Sequence, residues 1–258
     1  MSGLEYLNKV LVKYTSKCSI ISRFAIHTQL KKLLTSWAQP YDINIIISGS
    51  TTKETAISLS SDLDYFIELP YSCNFTYKNM YNDLHKKLSS EYYSVRKQNV
   101  SIVIETDNLK IDITPGIKQS GNTNYYSIYK SKSNSWTQTN IRLHNQQISN
   151  SGRTSEIKLL KIWRELNRLE FPSIYLEYLL KDRILLGRSK SPDELVDNFY
   201  YTLEQLARED SNPLYSRMVD PSNSSNIFSE LINLNEKQEI IQQAKRSLNE
   251  AYWSRIVY

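Results

Sequence analysis

The sequence predicts an α+β protein with two lobes: residues 1–150 carry a small mixed β-sheet, and residues 151–258 form a helical C-terminal lobe. Two observations predict this division. Short β-branched and apolar runs between residues 44 and 113 are typical of strands. After residue 154, apolar residues recur every three or four positions, which is the period of amphipathic helices. The chain contains no internal repeat and no low-complexity tail, so we place one domain boundary near residue 150.

The composition excludes several classes of protein. The 258 residues are 40% hydrophobic and 23% charged, which is ordinary for a globular chain, and the net charge is +5. No apolar stretch is long enough to span a bilayer, and the first ten residues lack the apolar core of a secretion signal. Cys18 and Cys73 are far apart and lack metal-ligand spacing, which argues against a disulfide scaffold or a zinc site. We expect a cytoplasmic protein with no membrane partner and an anionic substrate.

The first forty residues predict one broken helix or two helices. Ser2 and Glu5 have the form of a capping box. Apolar residues at helical spacing then continue until Pro40. They are Leu4, Leu7, Leu11, Ile26, Leu30, Leu33 and Trp37.

Four apolar runs predict the strands of the sheet: Asn44–Ile47, Asp62–Leu69, Val100–Ile104 and Leu109–Ile113. The last two flank Asp107-Asn108, which is typical of a hairpin turn. Met80, Leu84 and Leu88 predict a short helix between the second and third strands. Residues 118–150 show little periodicity, and we expect a loop with short elements there.

Four helices and one turn are expected in the C-terminal lobe. The first helix begins with Thr154 as its N-cap, and the second follows Pro172. The third contains Phe199 and Leu203, and the last extends to Tyr252. The sequence DPSN at residues 220–223 predicts a turn.

Two carboxylates lie at the start of the second predicted strand, which is otherwise apolar. Because side chains alternate along a strand, Asp62 and Asp64 share one face, about 7 Å apart. Leu63 and Tyr65 share the other face and can pack in a core. Two such charges repel each other and are costly to bury unless cations lie between them. Magnesium prefers oxygen ligands and often completes its shell with substrate phosphates, so it is the natural candidate.

Asp112 is a third acid in an apolar run, and it shares a strand face with Lys110 and Thr114. Beside the strand of Asp62 and Asp64 it would face the same ions, and three carboxylates can hold two metal ions roughly 3.5–4 Å apart for in-line displacement at phosphorus. Gly49 and Ser50 follow the first strand and should precede a helix. Glycine permits close backbone approach, and the serine hydroxyl can bind phosphate. Each pattern is weak alone, since most Asp-x-Asp pairs are solvated strand ends, but the ordered combination is rare.

This ordered set resembles the polymerase-β-like nucleotidyltransferase superfamily. Within it, GSTTKETAISLSSDLD resembles a pattern of oligoadenylate synthases and of the bacterial cGAS/DncV-like (CD-NTase) group, and LKIDITPG is similar to their third-acid segment. EIKLLKIWRELNRLEFPSIYLEYLL resembles two of their helices, and DPSNSSNIF resembles a segment shared with archaeal CCA-adding enzymes. The resemblance runs in order over residues 45–230. It departs at Glu54, where relatives usually have glycine.

The resemblance implies a nucleotidyltransferase core and a set of site residues. The catalytic and metal-binding residues would be Asp62, Asp64 and Asp112, holding two Mg²⁺ or Mn²⁺ ions. The nucleotide-binding residues would be Gly49, Ser50, Lys161 and Ser173. Lys161 would reach the triphosphate from the helical lobe; from the residues alone, an exposed helix lysine is the alternative. The active site is expected between the two lobes.

The implied activity is the joining of nucleotides from nucleoside triphosphates, ATP among them, with release of pyrophosphate. The expected product is a cyclic oligonucleotide second messenger of bacterial antiviral defence. Nucleotide addition to an RNA 3′ end, such as that of tRNA, remains an alternative, so RNA is a candidate partner. Transfer to a protein or small molecule and a catalytically inactive binding module are further alternatives. The small net charge weighs slightly against tRNA, and the presence of all three acids weighs against inactivity. The oligomeric state is left open.

Overall fold

The computed structural model describes residues 1–15, 20–60, 62–106, 109–121 and 123–258, with residues 20–25 described by their backbone only. Cys18 and the predicted turn residues Asp107 and Asn108 lie outside the described residues. The chain forms two compact units. The sheet unit comprises Lys17–Lys53 and Ser61–Asn145. The helical unit comprises Met1–Ser16, Glu54–Ser60 and Gln146–Tyr258.

Helices and strands in the described part of the chain confirm the predicted α+β class. The α-helices are α1 Gly3–Lys13, α2 Ile20–Ala38, α3 Gly49–Thr52, α4 Tyr77–Ser89, α5 Ile141–Ser149, α6 Thr154–Leu166, α7 Ser173–Leu179, α8 Leu195–Ala207, α9 Leu234–Leu248 and α10 Trp253–Ile256. The strands are β1 Asn44–Ser48, β2 Asp62–Leu69, β3 Val95–Lys97, β4 Ile102–Glu105, β5 Lys110–Lys118, β6 Tyr126–Lys130, β7 Ser135–Thr139, β8 Val219–Asp220 and β9 Asn223–Ile227. None of these helices combines the length and the apolar character needed to cross a bilayer, as far as the described residues go.

The units do not coincide with the predicted domains. The boundary at residues 145/146 lies near the expected residue 150. The first helix and the segment Glu54–Ser60, however, group with the helical unit rather than with the sheet. The reason is packing: Leu7 and Val10 of α1 and Ile57 of that segment join the apolar core formed by the C-terminal helices.

The sheet unit is built on a seven-stranded mixed sheet with the order β1-β2-β5-β4-β3, and β6 and β7 extend it beside β5. Strands β2 and β5 are parallel, and the other neighbours are antiparallel. A parallel pair needs a long crossover between its strands. Here the crossover contains α4, β3 and β4. This connection brings the strand of Asp62 and Asp64 directly against the strand of Asp112.

The two faces of β2 have different surroundings, as the alternation of its side chains predicts. Leu63, Tyr65 and Ile67 are buried in a core that also contains residues of α2 and α4. On the other face, Phe66 is fully buried against Tyr126 and Ile128. The acids at the start of the strand share the face of Phe66 but are only half-buried. The apolar face therefore anchors the strand while the acidic end of the other face stays accessible.

Residues 118–150, expected as a loop with short elements, contain β6, β7 and α5. Strand β7 shows why local periodicity does not predict all of these elements. In β7, Ser135 and Trp136 are exposed and the next two residues are only half-buried, so the strand lacks an apolar stripe. Its conformation comes from pairing with β6, which in turn pairs with β5. Such long-range pairing is not visible in a local period.

The helical unit agrees with the predicted helices, with differences at their ends. The capping box of α1 is confirmed: the Glu5 amide donates to Ser2 Oγ at 3.2 Å, and the Ser2 amide donates to Glu5 Oε2 at 2.9 Å. Helix α6 has Arg153 rather than Thr154 at its N-cap, so the predicted cap is displaced by one residue. Helix α9 ends at Leu248, and Tyr252 lies beyond it, exposed. Trp163 is fully buried, and its indole N–H donates to Ser247 Oγ at 2.9 Å.

The DPSN segment forms the predicted turn, between β8 and β9. The Asp220 carboxylate is buried and organises this turn. Its Oδ1 accepts hydrogen bonds from the Ser222 amide and hydroxyl, each at 2.7 Å, and its Oδ2 accepts from Asn226 Nδ2 at 3.3 Å. These bonds compensate a buried charge. The segment therefore has a structural function within the helical unit.

Candidate active site

Strands β2 and β5 bring the three predicted acids to one face of the sheet. The two strands run parallel with Asp64 opposite Asp112 and with Asp62 opposite Lys110. The side chains of Asp62 and Asp112 are 34% and 14% exposed, and Asp64 is half-buried. Residues opposite each other on parallel strands share a face, so all three carboxylates belong to one cluster. We call Asp62, Asp64 and Asp112 the acidic cluster.

Lys110 is a member of this site to which sequence reasoning assigned no role. Its ammonium donates a hydrogen bond to Asp62 Oδ2 at 2.6 Å and lies 3.7 Å from Asp112 Oδ2. Ser101 of the preceding loop donates from its hydroxyl to Asp112 Oδ1 at 2.9 Å. The position of Lys110 two residues before Asp112 placed it on the acidic face. The contact with Asp62, however, depends on the pairing register of β2 and β5.

The carboxyl groups of the cluster are electrostatically unfavourable in their charged form. Burial, and after it the negative charges of Asp112 and Asp62, raises the pKa of Asp64 to about 6. Lys53 and Lys110 act in the opposite direction on the same carboxyl. Burial also raises the pKa of Asp112, against the Ser101 hydrogen bond and the Lys110 charge, which lower it. A bound cation would relieve this excess of negative charge.

The donor chemistry of the cluster fits a divalent metal ion. Carboxylate oxygens are the ligands that Mg²⁺ and Mn²⁺ prefer. As the side chains stand, no three acidic, histidine or cysteine groups in the described part of the chain are arranged around one metal position. At the acidic cluster, the Lys110 ammonium contacts two of the three carboxylates. Binding of a metal ion by the three carboxylates would therefore require their side chains to rearrange.

Gly49 is needed for the close approach of the Asp64 carboxylate. Strand β1 pairs Ser48 with Asp64, so the chain turns away from the sheet directly beside that side chain. Gly49 has φ +65°, and a Cβ atom on it would lie 1.8 Å from Asp64 Oδ2 and 2.4 Å from Asp64 Cγ. No side chain larger than hydrogen fits there without displacing the carboxylate. The neighbour in the structure is the Asp64 carboxylate, and the expected contact of Gly49 with nucleotide phosphate stays a prediction.

The predicted helix after Gly49 is a single turn, α3, which includes Ser50. Lys53 caps its C-terminal end, and its amide donates to the Gly49 carbonyl at 3.1 Å. The Lys53 side chain is buried although lysine is rarely so. Its charge acts on Asp64, so it belongs to the electrostatics of the site. Lys53 belongs to the motif GSTTKETAISLSSDLD, but the local pattern does not predict its burial.

Glu54 adopts a backbone conformation that favours glycine. Its φ is +59°, in the left-handed region, which costs most residues about 1–2 kcal/mol. A glycine here, as in the pattern that the sequence resembles, would adopt this conformation without that cost. The Glu54 side chain is exposed. The chain therefore tolerates the residue at an energetic cost in the backbone.

Lys161 and Ser173, the two predicted nucleotide-binding residues of the helical unit, have protein partners in the structure. The Lys161 side chain is only 2% exposed, and its ammonium donates to Glu177 Oε1 at 2.6 Å and to Thr55 Oγ1 at 2.9 Å. Thr55 in turn donates to Glu177 Oε1 at 3.1 Å. The alternative of an exposed helix lysine is therefore wrong. Ser173 Oγ accepts a hydrogen bond from Arg164 at 3.0 Å.

Comparisons with known proteins show the family and the fold of the chain. The family model described as "Second Messenger Oligonucleotide or Dinucleotide Synthetase domain" matches residues 5–151, more than half of the chain. No curated protein matches the sequence. The chain is similar in structure to CdnC of Escherichia coli MS115-1, solved in a complex named CdnC:HORMA-deltaN, with a TM-score of 0.70 and 19% identity over 95% of this chain and 89% of that one.

Two further solved structures resemble the chain. One is the CD-NTase CdnG of Bradyrhizobium diazoefficiens in complex with GTP, with a TM-score of 0.73 and 12% identity over 98% of this chain and 93% of that chain. The other is the cyclic dinucleotide synthase CdnE of Elizabethkingia meningoseptica with GTP and Apcpp, with a TM-score of 0.65 and 14% identity over 100% of both chains. At these identities the likeness shows a shared fold. With the match of the family model, the resemblance to the CD-NTase group is confirmed, and the chain belongs to the Second Messenger Oligonucleotide or Dinucleotide Synthetase family.

Proposed function

We propose that this protein is a metal-dependent nucleotidyltransferase that joins nucleoside triphosphates into a cyclic oligonucleotide second messenger and releases pyrophosphate. Membership of the family supports the reaction class. The observation that carries the proposal is the register of the parallel pair β2–β5, which sets Asp64 opposite Asp112 beside Gly49. Bacterial antiviral defence is the proposed biological setting.

The acidic cluster would hold the metal ions. Mg²⁺ or Mn²⁺ bound by three such carboxylates can activate a hydroxyl nucleophile and stabilise a leaving pyrophosphate. Ser101 and Gly49 contribute to the positions of two of these carboxylates. Ser101 holds one oxygen of Asp112 by a hydrogen bond, so the carboxylate presents its other oxygen in a fixed orientation. Gly49 leaves the space that the Asp64 carboxylate occupies.

The protonation of Asp64 gives the proposed reaction a pH dependence. With a pKa of about 6, this carboxyl is mostly protonated at pH 5 and mostly ionised at pH 7.5. Only the ionised form is a good metal ligand, so protons compete with metal ions for this position. We therefore expect metal-free protein to require more metal for half-saturation at pH 5.5 than at pH 7.5.

Nucleoside triphosphates are the proposed substrates. The similar CdnG and CdnE structures contain GTP, and CdnE also contains Apcpp. Gly49 and Ser50 are the proposed phosphate contacts of the sheet unit. Lys161 and Ser173 are the proposed contacts of the helical unit, and a phosphate at Lys161 would compete with Glu177 for the ammonium.

The test is incubation of the purified protein with each labelled nucleoside triphosphate, with Mg²⁺ or Mn²⁺, and with or without RNA. We expect a small phosphatase-resistant product without RNA, identified by chromatography and mass spectrometry, together with pyrophosphate. Asp112→Asn should abolish both while the far-ultraviolet circular dichroism is unchanged. Asp83→Asn is the matched control, because Asp83 is an exposed acid on α4 of the same unit. Label that appears only on RNA, or full activity of Asp112→Asn, would overturn the proposal.

A further inference from the structure

We propose that Lys110 is an internal counter-ion of the acidic cluster, which stabilises the cluster without metal and raises the metal concentration needed to occupy it. This inference rests on the proposed function, because it assigns a role at the same site. It makes Lys110 a positioning residue that determines the metal requirement. The contacts, the exposure and the charge of Lys110 carry it.

The first observation is geometric. Lys110 lies on the acidic face of β5, opposite Asp62 on β2 and two residues before Asp112. Its ammonium is 2.6 Å from Asp62 Oδ2 and 3.7 Å from Asp112 Oδ2, so one cation contacts carboxylates of both strands. Such a bridging contact draws together two groups that would otherwise repel each other. Lys110 thus occupies a position where a shared cation is electrostatically favourable.

The second observation is that the Lys110–Asp62 ion pair is partly exposed to solvent. The side chains of Lys110 and Asp62 are 36% and 34% exposed. An ion pair with this exposure can open at a small cost, since water solvates both partners when they separate. The Lys161–Glu177 pair of the helical unit provides a contrast, with exposures of 2% and 1%. Lys110 can therefore move away from Asp62 without uncovering the core.

Two opposite effects of the Lys110 charge follow. Without metal, the ammonium offsets part of the repulsion among three carboxylates, so it stabilises the folded sheet unit. With metal, the same positive charge repels the divalent cation and occupies Asp62 Oδ2, so it weakens metal binding. A purely structural ion pair would have the first effect without the second. Measuring both effects therefore separates the two roles.

The test compares Lys110→Met, Lys110→Arg and Lys118→Met with the wild-type protein. Methionine keeps most of the length of the side chain and removes its charge, whereas arginine keeps the charge. Lys118 is the matched control because it lies at the other end of β5, eight residues from Lys110. Thermal unfolding is measured in EDTA, and the affinity for Mn²⁺ is measured by calorimetry or electron paramagnetic resonance without nucleotide.

We expect Lys110→Met to lower the unfolding midpoint in EDTA by about 2–4 °C. We expect the same variant to bind Mn²⁺ about tenfold more tightly than the wild type at low salt, with the gain decreasing as salt is added. Lys110→Arg should bind Mn²⁺ like the wild type, and Lys118→Met should change neither quantity. Unchanged or weaker Mn²⁺ binding by Lys110→Met would overturn the inference, and so would an unchanged or raised midpoint in EDTA.

The outcome is distinguishable from a failure of the proposed function. Mn²⁺ binding and unfolding in EDTA are measured without nucleotide, so they report on Lys110 whether or not a product is formed. If the wild type forms a cyclic product but Lys110→Met binds Mn²⁺ no better, the inference about Lys110 fails alone. If Lys110→Met behaves as expected but no variant or wild type forms product, the proposed reaction fails alone. Absence of Mn²⁺ binding in every variant would overturn the counter-ion role.

Discussion

Replacing Asp64 with asparagine should make the metal-free protein more stable at neutral pH while removing its activity. In the folded protein the Asp64 carboxyl has a pKa of about 6, compared with 3.8 for an unperturbed group, chiefly because it is buried. Its negative charge is therefore harder to maintain in the folded chain than in the unfolded chain. Asparagine has the same shape and no charge, so it removes this cost.

The size and the pH range of the effect follow from the two pKa values. Below pH 3.8 the carboxyl is protonated in both the folded and the unfolded chain, and it costs nothing. Between pH 3.8 and 6 the Asp64 carboxyl is mostly ionised in the unfolded chain and mostly protonated in the folded chain. The free energy of unfolding therefore decreases as the pH rises. Above pH 6 the full cost remains, and the difference from 3.8 to about 6 corresponds to roughly 3 kcal/mol. Since Asp64 is only half-buried, we expect a gain of about 1–3 kcal/mol at pH 7.5 and at most about 0.5 kcal/mol at pH 4.

The assay is urea unfolding of the wild type and Asp64→Asn at pH 4 and pH 7.5 in metal-free buffer. Asp62→Asn is the matched control, because it removes an acid of the same cluster together with the ion pair to Lys110. It should show no comparable gain. If Asp64→Asn is equally or less stable than the wild type at pH 7.5, or gains as much at pH 4, the assigned cost of the Asp64 charge is wrong.

Three further predictions concern the backbone and the buried ion pair. Glu54→Gly should stabilise the protein by about 0.5–1 kcal/mol in chemical unfolding, because φ +59° favours glycine, whereas Glu54→Ala should not. Gly49→Ala should abolish pyrophosphate release and cost at least about 1–2 kcal/mol, because its Cβ atom would overlap Asp64 Oδ2; activity equal to the wild type would contradict the close approach. Lys161→Met should destabilise the helical unit by about 3–5 kcal/mol, because it removes the ammonium that donates to the buried Glu177 carboxylate. Adding Glu177→Leu should recover most of that loss, and a double variant no more stable than Lys161→Met would refute this explanation.

The parts of the site that could be predicted from sequence are those with a local period. The alternation of side chains along a strand was enough to put Asp62 and Asp64 on one face and Leu63 on the other. It was also enough to put Asp112 and Lys110 on one face of their own strand. The order of these segments along the chain then indicated the family, which the comparison confirms.

The remaining features depend on contacts between distant residues. The contact of Lys110 with Asp62 requires the register of β2 and β5, which no local pattern specifies. Lys161 lies on a helix with mixed polarity, so the local pattern does not predict that its side chain is buried. Its hydrogen-bond partners, Glu177 and Thr55, are 16 and 106 residues away in the sequence. Strand β7 has few apolar residues, and it is ordered by its pairing with β6. Contacts between distant segments therefore determine these three features, which the local sequence pattern does not predict.

The path of the chain limits how this protein can be divided. The polypeptide passes from one unit to the other four times, after Ser16, Lys53, Ser60 and Asn145. A recombinant half that begins at Gln146 would lack α1 and would also lose the Thr55 hydroxyl beside the Lys161–Glu177 pair. A half that ends at Asn145 would carry α1 without the helices that bury Leu7 and Val10. Exchange of parts between relatives should therefore preserve these crossings, because neither unit is encoded by one uninterrupted piece of the gene.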